Sequence, residues 1–288
     1  MLQRGLCLVN RRISHSLPNT VAFAHYSRLF STTTNNNNSS SDNSSSSSSS
    51  LMDAVETARA KLLQSSSSWD DLWRDGVTPW DLGKPTPLLI HELEKERPNV
   101  SKSKKKQRRT LVPGCGRGYD LLTLQSHHNY MAIQQQNQNQ SSTSESSMET
   151  SNNNSNNNNV VVGLDMSPTA LTSAEALIQG HVSHLTRLDL QCGDFFDPPE
   201  NWETVYCSKE EDDNKGEEQQ PPSSVSQFDF IFDYTFFCAL PPNRRYDWGT
   251  QIAKLLDPTN GRLLTVIFPI LPDAPLKGPP YPVCPQDY

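Results

Sequence analysis

The chain has 288 residues, 34% of them hydrophobic, and a formal net charge of −7. The acidic balance argues against a general nucleic-acid binder, and no apolar run approaches the roughly 20 residues of a membrane-spanning helix. Six cysteines without a CxxC pair indicate neither a disulfide framework nor a zinc site, so we expect no metal.

Residues 1–34 have the composition of a transit peptide, because they are rich in Arg, Ser and Thr and the first acidic residue of the chain is Asp42. Residues 35–50 are Asn and Ser apart from Asp42, a composition that does not bury enough apolar surface to become ordered. We therefore expect residues 1–50 to be a transit peptide and a disordered linker. The expected location is mitochondrial, with plastid and cytoplasm as alternatives.

From residue 51 the sequence alternates between helical and strand patterns. Apolar spacing predicts helices over 51–64, from Trp69, and over 88–93, 120–133, 169–179 and 244–256. Short apolar runs bounded by turn residues predict five strands, at 110–113, 160–165, 187–191, 228–233 and 262–269. Continuous apolar strands that alternate with helices indicate an α/β fold with a mostly parallel sheet.

Two polar tracts interrupt this alternation. Residues 134–159 are almost wholly Gln, Asn, Ser and Thr, and a second polar stretch covers about 203–227. Long surface loops cost little free energy, so we interpret both tracts as inserted loops within one domain, 51–288.

Three glycines on alternate positions follow the first predicted strand, in Gly114-Cys115-Gly116-Arg117-Gly118. Glycines let the backbone turn tightly and let a ligand approach the main chain, and the helix after them offers free N–H groups. Dinucleotide dehydrogenases place the third glycine one position later. The GxGxG spacing suits enzymes that bind S-adenosylmethionine better than it suits a nicotinamide oxidoreductase, which stays an alternative.

Acidic residues mark the ends of the following strands, where ligands bind in open parallel sheets. Asp165 follows Gly116 at close to the roughly 20 residues expected of a nucleotide-binding unit, once the first polar tract is subtracted. It is therefore a candidate partner of both ribose hydroxyls, with a helix-capping or turn role as the alternative. Asp194 is a candidate acceptor for an adenine amino group, with Phe195 against the ring; a turn Asp beside core phenylalanines is the alternative.

Several ordered motifs together resemble the thiopurine S-methyltransferase superfamily, and within it the plant-type thiol and halide methyltransferases. They are WDDLWRDGVTPWDLGKPTP from Trp69, then LVPGCGRGYD, VVGLDMSP, GDFF, FDFIFDYTFFCALPP and LLTVIFPI. The resemblance implies a Rossmann-like class I methyltransferase with helices on both faces of the sheet. It also implies two more strands after Tyr288, so we expect the domain to be incomplete at its C-terminal end.

By matching position, the resemblance assigns ten residues to the cofactor, S-adenosylmethionine. Three are the tryptophans of an N-terminal cover, with plain core packing as their alternative: Trp69, Trp73 and Trp80. The others lie at strand ends: Gly114, Gly116, Asp165, Asp194, Phe195, Asp233 and Tyr234. Gly114 and Gly116 would lie against its amino-acid part, and Asp233 and Tyr234 would face the methyl-transfer pocket.

The resemblance implies methyl transfer to a small soft nucleophile, namely a thiol, a halide, thiocyanate or a thiopurine. Direct displacement from a sulfonium needs little acid–base help, so no general base is assigned, and Tyr234 is a candidate for orienting the substrate. We expect a monomer that binds neither nucleic acid nor membranes. A non-catalytic protein that binds S-adenosylmethionine is the alternative function.

Overall fold

The computed structural model describes residues 5–12, 21–22, 46–64, 68–96, 108–141, 159–181, 186–197, 227–271 and 277–288. Its six α-helices are α1 (Ser46–Leu62), α2 (Trp69–Arg74), α3 (Pro87–Glu94), α4 (Tyr119–Ser141), α5 (Pro168–Ile178) and α6 (Arg245–Leu255). Its seven strands are β1 (Gly5–Arg12), β2 (Val21–Ala22), β3 (Arg109–Pro113), β4 (Asn159–Asp165), β5 (Thr186–Cys192), β6 (Phe230–Asp233) and β7 (Arg262–Ile270).

One sheet organises the domain, in the order β2-β1-β7-β6-β3-β4-β5. The five strands from β3 to β7 are those expected from the sequence, and each neighbouring pair among them is parallel. Every residue of β3, β4 and β6 is buried, as expected of strands covered on both faces. The predicted α/β class, a mostly parallel Rossmann-like sheet, is confirmed.

Local capping chemistry explains where two helices near the glycine loop begin. Ser68 caps α2 through a reciprocal capping box with Asp71, which satisfies amides that the first turn leaves unpaired. Ser167 caps α5 through the amide of Ala170, and Pro168 occupies the first helical position, where a missing N–H costs nothing. Both starts agree with the sequence analysis.

Two strands, β1 and β2, lie within residues 1–50, which we expected to be a transit peptide and a disordered linker. β1 pairs antiparallel with β7, with register partners from Gly5 and Ile270 to Arg12 and Arg262, and β2 pairs with β1. The edge of β7 is therefore covered by β1. A sheet edge presents unpaired N–H and C=O groups, and the sequence of β1, GLCLVNRR, offers apolar residues of strand type to pair with it. The targeting role of this segment stays a prediction.

The first polar tract begins later than expected. α4 continues through Ser141, because glutamine, which is frequent after residue 133, has a helix propensity close to that of lysine or glutamate. Residues 142–158 and the second tract lie outside the described residues.

None of the described helices is both long and apolar enough to span a membrane.

A buried histidine provides a test of the packing between β3 and α4. His128 is 3% exposed, and its Nε2 lies 3.3 Å from Thr110 Oγ1. Burial lowers the pKa of His128 to about 3, with Arg108 and His127 adding to the effect. The ring is therefore neutral at physiological pH in the folded chain.

We predict that this histidine makes folding stability depend on pH. In the unfolded chain histidine takes up a proton near pH 6.5, whereas the folded ring does not until about pH 3, so stability falls as the pH drops below 6.5. The loss attributable to His128 is about 1 kcal/mol between pH 6.5 and 5.5. Urea unfolding at both values should show a smaller loss in His128→Gln than in wild type. The exposed-histidine variant His181→Gln should behave like wild type, and a pH dependence equal in all three would contradict the prediction.

Candidate active site

The glycine loop, residues 114–118, joins the carboxyl end of β3 to α4 and forms one wall of a cavity. The cavity has a volume of about 60 Å³. Five of the ten residues proposed from the sequence line it: Trp73, Trp80, Gly114, Gly116 and Tyr234. It therefore lies at the sheet edge where ligands of open parallel sheets bind.

Two positions of this loop require glycine because aromatic side chains lie close to its main chain. Gly114 and Gly116 have φ values of +61° and +53°. A Cβ on Gly114 would lie 2.7 Å from the ring of Phe236, and one on Gly116 would lie 3.2 Å from the ring of Trp73. Since both the backbone conformation and the space exclude a side chain, the loop presents bare main chain to the cavity.

Asp165 fixes the position of the glycine loop. Its Oδ2 accepts a hydrogen bond from the amide of Gly116 at 2.9 Å, and its Oδ1 accepts one from the amide of Ser167, also at 2.9 Å. The residue is 8% exposed, and burial raises the pKa of its carboxyl group despite these hydrogen bonds. The carboxylate therefore links the segments that follow β3 and β4. This contact belongs to the turn role that the sequence analysis gave as the alternative for Asp165.

The tryptophans form an aromatic cluster on one side of the cavity. Trp73 and Trp80 line it, with ring centroids 6.3 Å apart. Trp69 packs edge-to-face on Trp80 at 5.2 Å and does not line the cavity. The three tryptophans thus form one cluster, with Trp69 supporting the other two, and their role in covering the cofactor stays a prediction.

Three polar contacts that the sequence analysis missed fasten residues 69–94, which we call the cover, to the rest of the domain. Asp70 accepts from the Ser167 hydroxyl at 2.7 Å and from the Thr169 amide at 2.9 Å. These hydrogen bonds hold the pKa of Asp70 well below its usual range. Thr86 donates from its amide and its hydroxyl to the two oxygens of Asp120, each at 2.8 Å.

The third contact is an ion pair, in which Arg117 Nε donates to Asp81 Oδ2 at 2.8 Å. Local signals for the first two contacts exist in the sequence. Asp70 and Asp120 stand in the first turns of helices, and Thr86 immediately precedes a proline at a helix start. These signals predict helix ends, but they do not identify the distant partner.

Tyr234 lies in the cavity wall together with Tyr119 and Thr235. Burial raises the pKa of the Tyr234 phenol, and the nearby carboxyl groups of Asp120 and Asp81 add to this effect. The phenol therefore stays protonated at neutral pH and can donate a hydrogen bond into the cavity. Thr235, which has a φ of +63°, turns the chain directly after it.

Asp233 does not face the cavity, contrary to the expectation from the sequence. It is 1% exposed; its Oδ1 accepts from the amides of Phe236 and Phe237, and its Oδ2 accepts from the Trp248 indole at 3.0 Å. Burial raises its pKa to about 7. The side chain fixes the turn after β6, because it satisfies donors that this buried turn leaves unpaired.

The two adenine candidates also lie outside the cavity. Asp194 is exposed, and its Oδ1 accepts from the amide of Phe196 at 3.0 Å. Phe195 is 3% exposed and packs edge-to-face on Phe236 at 5.1 Å. This arrangement matches the alternative of a turn aspartate beside core phenylalanines, and the adenine role of both residues stays a prediction.

A second cavity, of about 210 Å³, lies at the amino ends of the parallel strands. Its lining includes Glu96, His127, His128 and Arg262. The larger volume is thus at the edge of the sheet opposite the glycine loop, and none of the ten candidate residues lines it.

Together, the sheet topology and the glycine loop define a Rossmann-like nucleotide-binding protein. Residues 64–139 and 219–288 match the family model for thiopurine S-methyltransferase. The chain is 33% identical over 225 residues to a probable thiol methyltransferase 2 of Arabidopsis thaliana, across 78% of this chain and 70% of that protein. It is 30% identical over 220 residues to thiocyanate methyltransferase 1 of Brassica oleracea, across 76% of this chain and 69% of that protein.

The chain therefore belongs to the thiopurine S-methyltransferase family. This confirms the resemblance seen in the motifs, and with it the enzyme class: an S-methyltransferase that depends on S-adenosylmethionine. The residues present fit that cofactor. Gly114 and Gly116 contribute main chain without a side chain to the cavity wall, and aromatic rings such as those of Trp73 and Trp80 in the same wall suit a cationic sulfonium.

We predict that replacing Asp165 weakens cofactor binding. Asp165→Asn keeps the size of the side chain but removes the charge and one of the two acceptors for the amides of Gly116 and Ser167. Hydrogen bonds to a charged group contribute about 1.5–3 kcal/mol each, so the dissociation constant for S-adenosylmethionine should rise about 10- to 100-fold in equilibrium dialysis.

The matched control is Asp247→Asn, which changes a half-exposed aspartate on α6. It should leave the dissociation constant within twofold of wild type. Equal affinities for wild type and a folded Asp165→Asn chain would contradict the role of Asp165.

Proposed function

We propose that this enzyme transfers the methyl group of S-adenosylmethionine to a small soft nucleophile by direct displacement, without a protein general base. The candidates are a thiol, thiocyanate, a halide and a thiopurine. The supporting observation is that the two carboxylates in the cavity wall already have partners: Asp81 is paired with Arg117, and Asp120 accepts two hydrogen bonds from Thr86.

Two further ionisable groups in the cavity wall, Tyr234 and Cys115, support the same proposal. The raised pKa of Tyr234 keeps its phenol protonated. Burial also raises the pKa of the Cys115 thiol well above its usual range, with Asp165 adding to the effect. Neither group is therefore an anion at neutral pH, and neither is suited to take a proton from the substrate.

Each wall of the cavity has a separate role in binding. The main chain at Gly114 and Gly116 would hold the amino-acid part of the cofactor. Asp165 does not line the cavity, and its two oxygens accept from the amides of Gly116 and Ser167, so its expected role at the ribose stays a prediction. When bound, the cofactor supplies a methyl group on a positively charged sulfonium, which a nucleophile displaces directly. Trp73 and Trp80 would stabilise that charge by about 0.5–2 kcal/mol through cation–π interaction.

Tyr234 and the cover would act on the nucleophile. A phenol O–H that donates into the cavity orients an anion without removing its charge. The cover excludes water, which otherwise blunts a soft anion by hydration. Alignment of the two reactants lowers the activation barrier by up to about 7–11 kcal/mol. Positioning without a general base would therefore be enough to catalyse this reaction.

The experiment is methyl transfer from radiolabelled S-adenosylmethionine by the full chain, with thiocyanate, iodide, an aryl thiol and a thiopurine as acceptors. We expect labelled product from at least one acceptor. Tight cofactor binding with no product from any of them would contradict the proposal and favour a non-catalytic binding protein.

We predict that the pH dependence of kcat/KM follows the substrate and not the enzyme. Thiocyanate is an anion throughout pH 6–9, so its kcat/KM should vary less than threefold over that range. An alkyl thiol becomes a thiolate near pH 8.5, so its kcat/KM should rise about tenfold per pH unit below that value. A rise of the same size with thiocyanate would indicate a protein base and contradict direct displacement.

We predict that Tyr234→Phe lowers kcat/KM for the nucleophile about tenfold, because one hydrogen bond to a charged group is lost. Its dissociation constant for S-adenosylmethionine should stay within twofold of wild type. The control is Tyr130→Phe, which changes a tyrosine on α4 that is 52% exposed. A Tyr234→Phe chain with unchanged kcat/KM would remove Tyr234 from the substrate site.

A further inference from the structure

The ion pair between Arg117 and Asp81 lies in the wall of the cavity and joins the glycine loop to the cover. Arg117 belongs to the glycine loop and Asp81 to the middle of the cover, and both residues line the cavity. The guanidinium also lies 5.4 Å from the ring centroid of Trp73. The Asp81 side chain is 12% exposed and that of Arg117 is 36% exposed, so the pair is partly shielded from water and still reachable from the surface.

The cover is held more firmly at its ends than in its middle. Asp70, near its beginning, accepts two hydrogen bonds from the start of α5. Thr86, near its end, is 3% exposed and makes two hydrogen bonds with Asp120. Between these two anchors, Trp73 packs against Gly116, and farther along the cover the ion pair of Asp81 with Arg117 is a polar contact with the glycine loop.

Two glycines bracket this middle part. Gly76 and Gly83 have φ values of +68° and +65°, and a Cβ at either position would meet no atom within 4 Å. Packing therefore does not require these glycines, whereas the backbone conformation does. Residues 77–82 thus lie between two points at which the chain turns with few steric restrictions.

The cavity between the cover and the glycine loop is small in this arrangement. Its volume is about 60 Å³, whereas pockets for small molecules measure about 300–1,000 Å³. Because Asp81 and Leu82 form part of its wall, displacement of the middle of the cover enlarges the cavity while both anchors stay in place.

We propose that residues 77–82 form a flap that opens and closes over the cofactor, and that the Asp81–Arg117 ion pair is the latch that holds it closed. The proposal rests on the proposed function, because the flap retains S-adenosylmethionine and its demethylated product, S-adenosylhomocysteine. The latch residues act by positioning the flap and take no part in the chemistry of methyl transfer.

The test is the dissociation rate of S-adenosylhomocysteine from the full chain, followed by stopped-flow tryptophan fluorescence. Trp73 and Trp80 line the cavity and serve as the probes. Asp81→Asn and Arg117→Gln should each release the ligand about two- to fivefold faster, as expected for loss of a partly shielded ion pair. The double variant should be no faster than the faster single variant, because both changes remove the same contact.

The control is Asp247→Asn, which breaks the ion pair of Arg244 with Asp247 at the start of α6, away from the cavity wall. Its dissociation rate should stay within twofold of wild type. The salt dependence of the dissociation rate is a second test, which does not depend on equal folding of wild type and variant. An increase to 1 M salt should accelerate dissociation from wild type but not from Asp81→Asn.

Rates within twofold of wild type for both single variants, or additive effects in the double variant, would overturn the latch. Either result leaves the proposed function intact, since the ligand still binds. Absence of binding to the folded wild-type chain would overturn the proposed function and the latch together.

Discussion

The carboxylate of Asp165 is the constraint on which the site depends. It accepts hydrogen bonds from the amides of Gly116 and Ser167, so one side chain fixes the ends of two neighbouring strands. Gly116 in turn leaves room for Trp73, whose ring would lie 3.2 Å from a Cβ at that position. The loop, the start of α5 and the aromatic cover are therefore placed relative to one another by a single buried acid.

The cover follows from the same arrangement, because aspartates fasten it to the ends of the strands and helices around that acid. Asp70 binds at the start of α5, where helix amides favour a negative charge. Asp120 binds the cover from the start of α4. The resulting small cavity, closed by aromatic rings and paired charges, suits a reaction that needs alignment and exclusion of water more than it needs acid–base groups.

The sequence predicted what is encoded locally. Apolar runs predicted the five parallel strands. The glycine spacing and Asp165 predicted that the cofactor site lies at the carboxyl ends of these strands. The pairs Asp70 with Ser167 and Arg117 with Asp81 are separated by 97 and 36 residues, and local patterns do not identify partners at such distances. For the same reason the pairing of β1 with β7 was not foreseen. Asp233 was misplaced because its position at a strand end does not reveal whether its side chain turns toward the cavity or the core.

The most direct test of the central claim is hydrogen–deuterium exchange of the full chain with and without S-adenosylmethionine. The account predicts slower exchange in peptides that cover the glycine loop, the end of β4 at Asp165 and residues 77–86 of the cover. Peptides around His127, His128 and Arg262, at the larger cavity, should be unchanged. Protection confined to that opposite edge of the sheet, or no protection anywhere in a folded chain, would contradict the assignment of the site.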